Sequence, residues 1–123
     1  NITYCSLEKL IMNSDIISIH LNLSENTLRL INKDLISKMK KNLILINTSR
    51  GEIIDEDALF EALKNKLIYG AGLDVFDSEP YSGQLTQLDN TVLTPHIGSY
   101  AKELRIQMEL ESANNLIKGF TND

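Results

Sequence analysis

Short apolar runs alternate with amphipathic stretches along this chain, and the alternation predicts strands and helices in turn. Asp15 to Leu21 contains a compact Ile16-Ile17-Ser18-Ile19 run, Leu43 to Ile46 is wholly apolar, and Tyr69 to Leu73 and Thr91 to Thr94 repeat the theme. Runs of this length and composition suit strands buried in a parallel sheet. Ile2-Thr3-Tyr4 is short but fits the end of a further strand. Between these runs the helical spacing returns. Ser6 stands as an N-cap before Leu7, Leu10 and Ile11, and Asn32 before Leu35, Ile36 and Met39, with Ile31 placed to staple onto Ile36. Asp55 caps the best-specified helix: Glu56 and Asp57 complement its positive end, Ile54 staples onto Leu59, and Lys64 and Lys66 lie near its negative end. Its buried stripe is Ala58, Leu59, Ala62 and Leu63. Ser99 is expected to cap a long last helix bearing Ile106, Leu110, Ala113 and Ile117 and ending near Gly119. A loop spans about Phe76 to Asn90. Alternation of strand and helix predicts an α/β fold whose parallel strands are joined by right-handed crossovers. No internal repeat or linker interrupts it, and only the last helix is placed to leave the body.

Composition narrows the function more than the fold. The chain has 123 residues, enough for one domain with a real core, and is 42% hydrophobic and 24% charged. A net charge of −5 argues against nucleic acid as a partner, because phosphate neutralisation needs a basic face. Lys38, Lys40 and Lys41 read as a solvated helix end. The lone Cys5 excludes an internal disulfide, fits a reducing compartment and reads as a small buried hydrophobe. No stretch approaches membrane-spanning length and no signal peptide is evident, so a cytoplasmic chain is expected. Asn1 follows no initiator methionine, which suggests part of a longer polypeptide. No cysteine and histidine cluster has zinc spacing and no phosphate-loop or calcium-loop motif appears, so no metal is expected.

The chemistry concentrates where strands end. Arg50 follows one apolar run in Asn47-Thr48-Ser49-Arg50-Gly51, Glu79 follows the next in Gly72-Leu73-Asp74-Val75-Phe76-Asp77-Ser78-Glu79-Pro80, and His96 follows the last in Thr94-Pro95-His96-Ile97-Gly98-Ser99. Parallel α/β sheets gather reactive side chains at the carboxyl ends of their strands. A guanidinium there grips a carboxylate, an imidazole moves a proton near neutral pH, and a carboxylate beside it favours the imidazolium. Each residue alone has a bland reading: a surface arginine paired with Glu52 or Asp55, an exposed loop acid, a histidine bonded to a loop carbonyl. Their joint placement after successive strands points to an enzyme. Asp74 either accepts a hydrogen bond from a ligand amide or caps its loop. His20 is at least as well read as a partly buried histidine packing on the neighbouring turn as a catalytic one.

These motifs resemble the D-isomer-specific 2-hydroxyacid dehydrogenases. Asn47 to Gly51, Gly72 to Phe76 running on to Glu79-Pro80, and Pro95 to Gly98 carry the likeness, with a weaker fourth at Ser14 to His20. Glu79 to Gly83 and the Ser99-Tyr100-Ala101 segment look closest to phosphoglycerate-dehydrogenase-like members. The resemblance implies a partial doubly wound, Rossmann-type parallel sheet with flanking helices, with residues 1–98 the later part of a nucleotide-binding domain and 99–123 a helix crossing towards a substrate domain. It implies NAD as cofactor, NADP not being excluded, and a small 2-hydroxy or 2-keto acid as substrate, 3-phosphoglycerate-like compounds among them. By position, Arg50 holds the substrate, His96 exchanges its proton, and Glu79 sets the charge and orientation of His96. Leu21, Asn22 and Thr27 match cofactor-lining positions, and Thr48, Asp74 and Gly98 match positions near the nicotinamide. The family often has proline where Asn22 stands, and its Gly-x-Gly-x-x-Gly loop is absent from this sequence.

Two other readings stay open at this point: a dinucleotide-sensing interaction module that does no chemistry, and a generic α/β module whose trio is coincidental. The whole protein is expected to be a homo-oligomer, and this piece alone is expected to be inactive and to self-associate.

Overall fold

The computed structural model describes residues 2–121. In chain order the elements are α1 (Leu7–Asn13), β1 (Ile16–Ile19), α2 (Lys33–Ser37), β2 (Ile44–Asn47), a 3-10 turn (Gly51–Ile53), α3 (Glu56–Lys64), β3 (Gly70–Leu73), a second 3-10 turn (Gln84–Gln87), β4 (Thr91–Leu93) and α4 (Lys102–Thr121). The strands form one four-stranded sheet in the order β1-β2-β3-β4, parallel throughout. Strands added always in one direction, with right-handed crossovers, place every connection on the same face. The core agrees: Ile17, Ile19, Leu45, Ala71 and Leu73 on that face are buried with Ile11 of α1, Ile36 of α2 and Leu59, Phe60, Ala62 and Leu63 of α3. The opposite face, with Ile16 and Val92 61% and 70% exposed, is open.

The expected helix starts hold at the first three helices. Ser6, Asn32 and Asp55 each accept a backbone N–H three residues on, from Lys9, Leu35 and Ala58. Ile31 and Ile54, the residues before two of these caps, are both buried and form an isolated parallel bridge that clasps the starts of α2 and α3 together.

Three expectations fail. Residues 2–6 form no strand: Ile2 and Tyr4 stand fully exposed, and Cys5 is only partly covered rather than buried. Ser99 does not cap the last helix. The chain first turns at Ile97–Tyr100, and the bond that begins α4 runs from the Arg105 N–H to the Ala101 carbonyl. α4 then continues past Gly119 to Thr121 and buries none of its residues. The connection from β3 to β4, expected as plain loop, contains the Gln84–Gln87 turn, which drives Leu85 fully into the core.

Candidate active site

The parallel register aligns the carboxyl ends of β2, β3 and β4, so the segments after them emerge at one edge of the sheet. Asn47, the last residue of β2, is fully buried and organises the first segment. Its amide donates to the Arg50 carbonyl at 2.8 Å, and its oxygen accepts the Ser49 N–H and hydroxyl at 3.0 and 2.8 Å. This closes a turn that leaves Thr48 and Arg50 exposed at its tip. Arg50 donates to its neighbouring Ser49 carbonyl at 2.6 Å. Gly51 lies against the next segment: a Cβ there would sit 2.0 Å from the Phe76 carbonyl carbon, so only glycine permits the approach.

After β3, Asp74 is buried and both of its oxygens are engaged. They accept the Thr94 hydroxyl, the Ile97 N–H at 2.9 Å and the Gly98 N–H at 2.8 Å. Burial pushes its carboxyl up, but these hydrogen bonds and the nearby His96 outweigh it and hold the group below the ordinary value of 3.8. Asp74 thus does the work of a loop anchor. It grips the chain on both sides of His96, whose φ of 54° lies in the left-handed region that non-glycine residues rarely adopt. Gly98 belongs to the same arrangement, because an added Cβ would come within 3.0 Å of Asp74 Oδ2.

The anchor delivers His96 to Glu79. His96 Nδ1 lies 2.8 Å from Glu79 Oε2, and the other carboxylate oxygen accepts the Phe76 N–H at 3.1 Å. The hydrogen bond with His96 outweighs the opposing effect of burial and, with that from Phe76, lowers the Glu79 carboxyl, so it is ionised near neutral pH. An ionised carboxylate only accepts, so Nδ1 carries the proton and Nε2 is left to exchange one with a bound molecule. The Glu79–Pro80 peptide is cis.

The segment after β1 closes on itself. The Thr27 hydroxyl donates to the Asn22 carbonyl at 2.7 Å and accepts the Ser24 N–H at 2.8 Å. Leu21 and Leu23 remain exposed beside it. Apolar side chains next to a tied polar turn, at the carboxyl end of a parallel strand, fit a dinucleotide with its alternating flat rings and polar linkers. Of the predicted residues, the structure brings Glu79, His96, Asp74 and Gly98 into one bonded cluster. It sets Arg50 and Thr48 on the adjoining strand end, and Leu21, Asn22 and Thr27 one strand further, without direct contact to the cluster. His20 is exposed rather than packed, its Nε2 2.8 Å from Ser18 Oγ. A broad concavity lined by Ile44, Ile46, Lys64 and Val92 among others shares none of the predicted residues. Among the described residues no cluster of histidine, cysteine or acids is placed to hold a metal ion, and no helix is long and apolar enough to cross a membrane.

The sequence reading passed over Asn47, although a polar residue on the same face as Leu45 signals a buried side chain that needs partners. It also passed over Thr94, whose hydroxyl completes the Asp74 anchor.

Residues 1–98 match the family described as D-isomer specific 2-hydroxyacid dehydrogenase, NAD binding domain. The chain belongs to this family. A glyoxylate reductase from Thermococcus litoralis is 49% identical over 115 residues, covering 93% of this chain and 35% of that protein. A glyoxylate/hydroxypyruvate reductase B from Enterobacter agglomerans is 45% identical over 119 residues, covering 95% of this chain and 37% of its own. Among solved structures, an acyclic imino acid reductase in complex with NADPH and D-Arg superimposes with a TM-score of 0.89 at 36% identity, covering 96% of this chain and 38% of the other. The chain therefore spans little more than a third of the length of these relatives. Its sheet, flanking helices and long last helix are the Rossmann-type α/β architecture of such dehydrogenases. None of these relatives supports the phosphoglycerate-dehydrogenase-like placement.

Proposed function

We propose that this chain provides the proton-transfer and acid-binding part of an NAD(P)-dependent reductase of small 2-keto acids. The observation that carries the reading is the hydrogen bond of 2.8 Å between His96 Nδ1 and Glu79 Oε2, presented at the sheet edge next to the segment bearing Arg50. The names of the relatives favour glyoxylate or hydroxypyruvate over a 3-phosphoglycerate-like compound as substrate. Leu21, Asn22 and Thr27, with Thr48 and Gly98, are the residues that would hold the dinucleotide. When bound, its nicotinamide ring supplies or accepts the hydride.

The chain's own residues handle the rest. Arg50, exposed and free of any carboxylate partner among the described residues, is available for a bidentate grip on the substrate carboxylate. His96 gives its Nε2 proton to the substrate oxygen in reduction and takes it back in oxidation. Glu79 holds the ring's Nδ1–H, which fixes the tautomer and stabilises the cation formed in oxidation. Asp74 keeps both in place. No observation favours the non-catalytic alternative.

The test is NADH and NADPH oxidation by the full-length protein across glyoxylate, hydroxypyruvate and larger 2-keto acids. His96→Ala is expected to lower kcat about 100- to 10,000-fold, the usual contribution of general acid–base catalysis. Arg50→Ala is expected to cost about 100-fold in kcat/KM. Wild-type turnover by His96→Ala would overturn the mechanism.

A further inference from the structure

We propose that Arg29 is a positioning residue, a clamp that fixes the Glu79-bearing segment against the Arg50-bearing segment. This rests on the reading of Arg50, Glu79 and His96 given above. Arg29 sits in the turn after β1, two residues beyond Thr27, with a left-handed φ of 48°. Its backbone N–H donates to the Glu52 carbonyl at 2.8 Å, in the turn that follows Arg50. Its guanidinium then reaches two acids on different segments: Nη2 donates to Asp77 Oδ2 at 3.0 Å and Nη1 faces Asp55 Oδ1 at 3.6 Å. Asp77 stands two residues before Glu79, and its own N–H donates to Glu56 Oε1 at 2.8 Å. One cation thus joins the segments that follow β1, β2 and β3.

The electrostatics make that cation necessary. Burial, and then the neighbouring Glu52, Asp55 and Asp57, disfavour the Asp77 carboxylate, and Arg29 is the positive group that opposes them. Without Arg29 the repulsion drives Asp77, and with it the Phe76 to Glu79 turn, away from α3. Phe76 donates its N–H to Glu79, so a shift of this turn is passed directly to the carboxylate that orients His96. Both ion pairs are partly exposed and contribute little to global stability. The loss therefore falls on orientation, where a displacement of about 1 Å is enough to reduce turnover greatly.

The experiment compares Arg29→Gln, Arg29→Lys, Asp77→Asn and the double variant R29Q/D77N in the full-length protein. Arg29→Gln is expected to lower kcat about tenfold with KM for the keto acid little changed, and to speed hydrogen exchange at the Phe76 and Asp77 amides. Arg29→Lys, which keeps the charge, recovers most of the turnover, and the double variant is no worse than Arg29→Gln alone. Wild-type kcat and wild-type exchange in Arg29→Gln overturn the clamp, even if melting temperature falls. So do losses in the two single variants that simply multiply. If Arg29→Gln fails to fold, Asp77→Asn removes the bridge together with the repelled charge: faster exchange at the Phe76 and Asp77 amides with a smaller fall in kcat is expected, and wild-type exchange there overturns the clamp. If the parent protein turns over no 2-keto acid, the functional reading fails by itself, and exchange at the two amides still decides the clamp.

Discussion

His96 occupies an unfavourable backbone conformation, and Asp74 is the residue that holds it there. Its carboxylate takes bonds from residues on both sides of the histidine. Asparagine at this position presents one acceptor oxygen, and its amide hydrogens face the N–H donors they cannot satisfy. Asp74→Asn is expected to destabilise the fold by about 1–3 kcal/mol at neutral pH, the cost of leaving buried donors unpaired, as read by urea denaturation. The pH dependence has a definite sign. Because the folded carboxyl lies below its ordinary value of 3.8, its contribution is complete above that value and is lost as pH falls through the folded one. The stability gap between wild type and Asp74→Asn should therefore close in strong acid; a gap that stays constant down to that range would show that ionisation of Asp74 is not what holds the loop. The sequence reading left two roles open for Asp74, ligand acceptor or loop cap. Its hydrogen bonds reach residues 20 to 24 positions away, which no local pattern reveals.

Among elements, helix starts were legible because capping is local. Ser6, Asn32 and Asp55 bond to N–H groups within one turn, so residue type and spacing suffice. Ser99 misled for the same reason: it has the right chemistry, but the Asp74 anchor holds Ile97 and Gly98 in a turn and delays α4 to Lys102. The contact between the turns after β2 and β3 had no sequence signal beyond a glycine. Gly51→Ala tests it. The new methyl group would overlap the Phe76 backbone, which has no rotamer to escape with, so a loss of about 1–3 kcal/mol is expected. Thermal unfolding measures it, and an unchanged midpoint would mean the two turns are free to separate.

At the scale of the whole molecule, one face of the sheet and all of α4 are uncovered. Ile106, Leu110, Ile117 and Phe120 are exposed on α4, as are Ile16 and Val92 on the sheet. Apolar surface of this extent seeks a partner, and β1 and β4 present free edges. The 123-residue chain on its own is expected to self-associate, giving a light-scattering mass above that of the 13.9 kDa monomer. A monodisperse monomer with a sharp unfolding transition would contradict this.

The sequence by itself determined the order of strands and helices, the parallel sheet and the positions of Arg50, Glu79 and His96, since period, caps and strand-end motifs are written in neighbouring residues. Tertiary structure alone decided which of these residues meet. Glu79 reaches His96 across 17 positions and Arg29 reaches Asp77 across 48, and both contacts exist only because the parallel register brings successive strand ends to one edge. It also decided that Asp74 is an anchor and Asn47 a buried organiser. Asp74's donors come from a segment that the chain's linear order keeps apart, whereas the Asn47 side chain bonds only to its own turn and owes its role to the burial that the sheet imposes on it.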